Sequence, residues 1–257
     1  MSFSADWLTL RRGADLRARN RELAAALTSW AATRAHPVRV LDLGAGTGAN
    51  LAATAPALGD RQHWRLVDND AGLLARVTPP ASVTVETVVA DLAAPMDALF
   101  DPVPDLVTAS AFFDLCGAAL INQLVALTTQ ADAAFYTVLS YDGRETWAPP
   151  HPADTAVLAA FHTDQRSDKG LGPALGPDAT AHLDAAFRAA GYVTRTGPSD
   201  WHLDAPRDGE LIAALAAGSA AAAEPQLGQT ARDWGMARAD ASSVMIGHLD
   251  FLALPPA

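Results

Sequence analysis

The sequence predicts an open, doubly wound α/β sheet, mostly parallel and seven-stranded, with an antiparallel C-terminal strand and an N-terminal helical cap. Three observations carry this expectation. The apolar, β-branched run Val38–Leu43 breaks into Gly44, Gly46 and Gly48 on alternate positions, then continues into the helix-favouring Asn50-Leu51-Ala52-Ala53. Strand, glycine turn and helix form the first unit of a doubly wound sheet, and ligands bind at that turn. Further short strand patterns alternate with helical ones along the chain. The last two strand patterns lie either side of a helix.

Taken in order, residues 7–35 read as one helix whose Leu16, Leu23, Leu27 and Trp30 share a face. Asn20 lies on that face and needs a partner there. Around it, Arg11, Arg12, Arg17, Arg19 and Arg21 are the basic concentration of an acidic chain. They form either a solvated face or a helix laid over a cleft, with an arginine meeting a ligand carboxylate. The cap is expected over 1–36 and the ligand-binding domain over 37–257. Residues 64–68 form the second strand and end on Asp68. The alternating residues 83–90 form the third and end at Asp91-Leu92. Residues 105–110 are the fourth, followed by a helix through Thr129, and residues 133–141 are the fifth. A helix over 181–190 stops at Gly191. Strands over 192–196 and 243–252 enclose a helix over 208–223. Residues 162–173 are polar, aperiodic and run into glycine and proline, as a long functional or merely connecting loop does.

The glycines alone satisfy a loose dinucleotide pattern. Asp42 points elsewhere, because a carboxylate before the turn repels phosphate and suits a cationic sulfonium and ammonium. Asp42-Leu43-Gly44-Ala45-Gly46-Thr47-Gly48, D-x-G-x-G-x-G at a strand end, resembles motif I of the class I S-adenosylmethionine-dependent methyltransferases. Asp68 follows the first glycine by about two dozen residues, the spacing of a ribose-binding acid, with Asp70 as its competitor. The resemblance implies a Rossmann-like fold and S-adenosylmethionine as cofactor. By the same resemblance the cofactor would be held by Asp42, Gly44, Ala45, Gly46, Asp68, Asn69, Asp91, Leu92 and Ser110. It places Asp91 on the adenine amino group, the next backbone N–H on the ring, and Asn69 beside the adenosine. It spans about residues 38–254, but its specific motifs stop before Asp114, and beyond that point it is a match of element order.

Composition narrows the partners. A net charge of −11 excludes a polyanion as the natural partner and disfavours an anionic membrane surface. The single cysteine, Cys116, excludes an internal disulfide and fits the cytoplasm. The most apolar later stretch, 211–223, is broken by Gly218-Ser219 and is not a membrane span. Seven histidines show no H-E-x-x-H or paired-cysteine spacing, so no metal is expected. Oligomeric state is not legible.

Methyl transfer needs in-line placement of acceptor and methyl, and a base only when the acceptor keeps its proton. No Asn-Pro-Pro-aromatic or Asp-Pro-Pro-aromatic run follows the fourth strand, and Cys116 lacks a preceding proline. Base and glutamine methylation are therefore disfavoured. The candidate catalytic residues are Asp114 (otherwise a helix cap), Tyr141 and His151. Trp147, Arg166 and Lys169 are candidates to contact the acceptor, the last two from a lid. The expected activity is methyl transfer to an oxygen or nitrogen of a small polar metabolite. Its rivals are a non-catalytic adenosine-cofactor-binding regulator, a non-methylating enzyme of the same cofactor such as a cyclase, and an NAD-dependent oxidoreductase.

Overall fold

Strand propensity and alternation produce a central sheet in the computed structural model of the chain, which describes residues 4–35 and 37–256. Residues 1–3 and 36 of the expected cap lie outside the described residues. Strands β1 (Val38–Leu43), β2 (Gln62–Asp68), β3 (Val83–Val89), β4 (Leu106–Ser110) and β5 (Ala134–Ala148) pair in parallel in the order β3-β2-β1-β4-β5. The sheet continues to β8 (Ser243–Leu254), antiparallel to β5, and then to β6 (Val193–Pro198). An eighth strand, β7 (Trp201–Asp204), was not expected. It pairs with the first residues of β8 while β6 pairs with the last, which the length of β8 allows. Its four residues are too few for alternation to stand out, although Trp201 and Leu203 are buried and His202 and Asp204 exposed.

Helices α3 (Ala49–Thr54), α4 (Ala71–Leu74), α5 (Ala118–Gln130) and α7 (Ala179–Ala189) connect the strands. The period of two sorts β1 cleanly: Val38 and Val40 join one hydrophobic cluster, and Leu41 and Leu43 join the other, on the opposite face. By that alternation Asp42 shares a face with Val38 and Val40.

The N-terminal segment is two helices, α1 (Ala5–Ala18) and α2 (Arg21–Ala31), rather than one. Asn20 causes the break: its side chain accepts from the backbone N–H of Glu22 and Leu23, as an N-cap does. Leu23, Leu27 and Trp30 are buried as expected, but Leu16 is 62 % exposed because the break changes the helix phase. The junction is tied down by Asp250 of β8, buried, whose carboxylate accepts from the N–H of Asn20 (2.8 Å) and of Leu139 (2.8 Å). Leu139 sits at φ +59° in a bulge of β5, a conformation a branched side chain holds only under constraint.

Two further helices were missed. α6 (Asp154–Gln165) takes in His162, Thr163, Asp164 and Gln165, so the expected long loop begins only at Arg166. α8 (Ala205–Leu227) is followed by α9 (Gln229–Arg238), whose polar sequence gave little apolar period but which buries Ala231, Trp234 and Arg238. Among the described residues no helix is long and apolar enough to cross a membrane.

Candidate functional site

Strand order reverses between β1 and β4, and a crevice opens there at the carboxyl ends of the strands, where open α/β sheets bind ligands. It holds a cavity of about 260 Å³. Gly44 and Gly46 of the turn after β1 form its floor, at φ +64° and +54°. A Cβ on Gly44 would stand 2.9 Å from the Phe112 ring, so glycine is needed for space as well as conformation.

Asp68 ends β2 on the wall of this cavity, beside Asn69. One carboxylate oxygen accepts from the N–H of Gly46 (2.8 Å) and the other from that of Asp70 (2.9 Å). These bonds fix its orientation and leave each oxygen further acceptor capacity. Asp70, the competitor, instead caps α4 through the N–H groups of Gly72 and Leu73. Asp91 and Leu92, after β3, and Ser110, at the end of β4, complete the sheet side of the wall.

Two residues of the expected cofactor set are not on the wall. Ala45 is buried, its N–H donating to the Val67 carbonyl (3.0 Å). Asp42, expected against a cationic ligand, lies wholly buried on the other side of the turn, where its alternation face meets α3. One oxygen accepts from Asn50 Nδ2 (2.7 Å) and the other has no partner. Burial pushes its carboxyl up to about 7, against the pull of Asn50 and Arg19. Arg19 reaches this cluster from the helix junction, donating to Asn50 Oδ1 and to Thr54 Oγ1 (2.7 Å).

The cap supplies wall residues that sequence reasoning named only as a group or missed. Leu8 and Arg11, one turn apart on α1, face the cavity. Arg11 is held by both oxygens of Asp15 (2.9 and 3.1 Å) and lies 4.9 Å from the ring centre of Trp201. The i, i+3 spacing of Leu8 and Arg11 was the available signal. Phe112 and Leu115 were also missed as wall residues.

Lys169, Gly170 and Leu171 form the outer rim. This segment is an anchored wall: the N–H of Gly117 donates to the Leu171 carbonyl (2.9 Å), and that of Leu175 to the Cys116 carbonyl (2.9 Å). Lys169 pairs with Asp164, whereas Arg166 pairs with Asp178 (2.9 Å) on the surface and does not line the cavity.

Of the expected catalytic residues, Asp114 lies just behind the wall, between Phe112 and Leu115. It is 8 % exposed. Oδ2 accepts from Gln165 Nε2 (3.1 Å), Oδ1 has no partner among the described residues, and burial raises the carboxyl to about 6 despite the nearby Arg11. Tyr141 and His151 do not line the cavity. The Tyr141 hydroxyl donates to Glu145 Oε1 (2.9 Å), with His162 Nε2 at 2.9 Å, and burial raises its pKa. His151 shapes the start of α6, its Nδ1 accepting from the Ala153 N–H (3.1 Å). Trp147 packs on Trp234 instead of facing the cleft. Trp147 and His151 are displaced because β5 continues to Ala148, seven residues past its expected end. Among the described residues no cluster of His, Cys, Asp and Glu could hold a metal ion.

No protein-family model and no curated protein sequence matches this chain. Solved structures do. A cyclopropane-fatty-acyl-phospholipid synthase-like protein from Lactobacillus casei is 13% identical, with a TM-score of 0.53 over 99% of this chain and 95% of that one. A mycolic acid cyclopropane synthase solved with S-adenosylhomocysteine and CTAB is 12% identical, with a TM-score of 0.50 over 91% and 83%. At such identities the likeness establishes the fold alone, a Rossmann-like α/β sheet of the kind these structures share.

Proposed function

We propose that this chain binds S-adenosylmethionine in the crevice between β1 and β4 and transfers its methyl group to an oxygen or nitrogen of a small polar molecule. The observation that carries the reading is the convergence of Gly44, Gly46, Asp68 and Asp91 on one cavity at the switch point. The residues suit the cofactor. The turn leaves room where a Cβ would clash, Asp68 can accept from two ribose hydroxyls, and Asp91 can accept from an adenine amino group. The cofactor supplies a methyl carbon already activated by the adjacent sulfonium. The chain's own task is then to orient the acceptor and exclude water. Leu8 and Arg11 from α1 and Lys169 to Leu171 from the rim are placed for both. Asp114, with an unpartnered buried oxygen and a carboxyl raised to about 6, is the candidate base for an acceptor that keeps its proton. The net charge supports a small-molecule acceptor over a nucleic acid, and the single buried thiol of Cys116 supports a cytoplasmic setting.

Calorimetry with S-adenosylhomocysteine and with NAD tests the assignment: the first should bind, and binding of NAD alone would overturn it. Asp68→Ala should weaken S-adenosylhomocysteine by about 1.5–3 kcal/mol, the range for a hydrogen bond to a charged group. An unaffected affinity would remove Asp68 from the site. Asp114→Asn should leave that affinity unchanged and slow methyl transfer at least tenfold, about 1.4 kcal/mol in the barrier, to an acceptor that loses a proton.

A further inference from the structure

The far end of β5 takes no part in the cleft, yet it borders a second cavity of about 250 Å³, nearly the size of the first. Glu145 and Trp147 of β5, Asp154 and Phe161 of α6, Ser219 of α8 and Trp234 of α9 line it. Trp147 and Trp234 meet edge to face, ring centres 5.3 Å apart and planes at 77°, with the Arg238 guanidinium 6.0 Å from the Trp147 ring centre. Phe161 adds a third ring to the wall. Aromatic faces carry negative potential and attract cations, best when water is thinned around them.

The charges agree with the rings. Both oxygens of Glu145 accept from neutral donors, the Tyr141 hydroxyl (2.9 Å) and Trp147 Nε1 (3.2 Å). Among the described residues no lysine, arginine or histidine lines the cavity, and Arg238 stands behind its wall on Asp154 and Trp147. Among the described residues no cation pairs with Glu145, and burial together with the charge of Asp154 disfavours its ionised form. Asp154 differs. Arg238, 2 % exposed, holds it at 2.6 Å, and Trp234 Nε1 donates to it at 2.8 Å, which fixes both residues in place. A half-buried carboxylate held only by neutral donors, beside aromatic rings, is a site that a cation would complete.

We propose that the cavity between the end of β5 and helices α6, α8 and α9 binds a small alkylated ammonium ion, with Glu145 as its counter-charge and Trp147, Phe161 and Trp234 as its walls. The alkyl groups fit the rings and the positive nitrogen fits the carboxylate. Neither part of the argument uses the cofactor cleft, so this site stands or falls separately from the proposed methyl transfer.

The test is calorimetric titration with tetramethylammonium chloride, against sodium chloride at equal ionic strength and against tert-butanol as a neutral compound of similar shape. Saturable binding of tetramethylammonium, at least tenfold tighter than tert-butanol, is expected. Glu145→Gln should weaken it at least tenfold. Ser219→Met, which fills the cavity from α8, should abolish it while leaving S-adenosylhomocysteine binding intact. That retained binding also shows that the second variant is folded. Absence of saturable binding, equal binding of the neutral compound, or unchanged binding in Ser219→Met would each overturn the proposal.

Discussion

Replacing Asp250 by alanine should cost roughly 2–5 kcal/mol of fold stability, read as a lowered denaturant midpoint with an unchanged slope. Its carboxylate is wholly buried and is the acceptor for two backbone N–H groups, those of Asn20 and Leu139. Alanine leaves both without a partner, and an orphaned buried donor costs about 1–3 kcal/mol. The Leu139 backbone, at φ +59°, would also lose a bond that holds it. Burial raises the carboxyl's pKa, so removing the acid returns part of its own desolvation cost, and the upper figure is a limit. Because Asn20 adjoins Arg19 and follows α1, S-adenosylhomocysteine affinity should fall as well. A loss under 0.5 kcal/mol would show that the clamp at the helix junction is dispensable.

Replacing Asp42 by asparagine should do the opposite, and by an amount that depends on pH. The folded carboxyl is raised to about 7 from 3.8 by burial. A carboxyl that binds its proton more tightly when folded stabilises the fold at low pH, and that contribution is lost as pH rises from about 4 to about 7. One group changes stability by at most about 1.4 kcal/mol per pH unit, hence up to about 4 kcal/mol over this window. Asparagine copies the protonated form and keeps an acceptor for Asn50. The variant's advantage over the parent should therefore be small near pH 4 and grow to its full size by pH 8. The difference between the two proteins is the proper readout. His248, lowered to about 3 by burial, contributes stability that disappears as pH falls from about 6.5 and so opposes Asp42 in the parent's own profile. A difference that does not change between pH 4 and 8 would refute the raised carboxyl.

What was legible followed from strong local signals. The alternation and branching of residues 38–43 and 83–89, and the glycines between strand and helix, specify sheet and turn without help from distant residues. Asp68 and Asp91 could be put at the ends of β2 and β3, on the wall of the crevice, because strand ends fall where apolar alternation stops. The errors share a cause, since tertiary contacts decided them. Asn20 was seen to need a partner, but that it satisfied the need by capping a new helix could not be read from residues 7–35. The polar residues 162–165 are helical because α6 packs between β5 and α8, and α9 is held by Trp234 and Arg238 on Asp154. The extension of β5 to Ala148 depends on β8, about a hundred residues later, and it carried Trp147 and His151 away from the cleft. Asp42 was assigned by the chemistry of a ligand, whereas the period of two had already put it on the α3 face.

The bond between Asn20 and Asp250 spans 230 residues of chain. As the polypeptide leaves the ribosome, the helices bearing Leu8, Arg11 and Arg19 emerge well before the strand that pins their junction. The glycine turn, β2 and β3 can pair early, because their contacts are close in sequence. The cap can be locked only after β8 has inserted between β5 and β6, so closure of the crevice belongs to the final stage of folding. A nascent chain would therefore present an open half-site until β8 was in place.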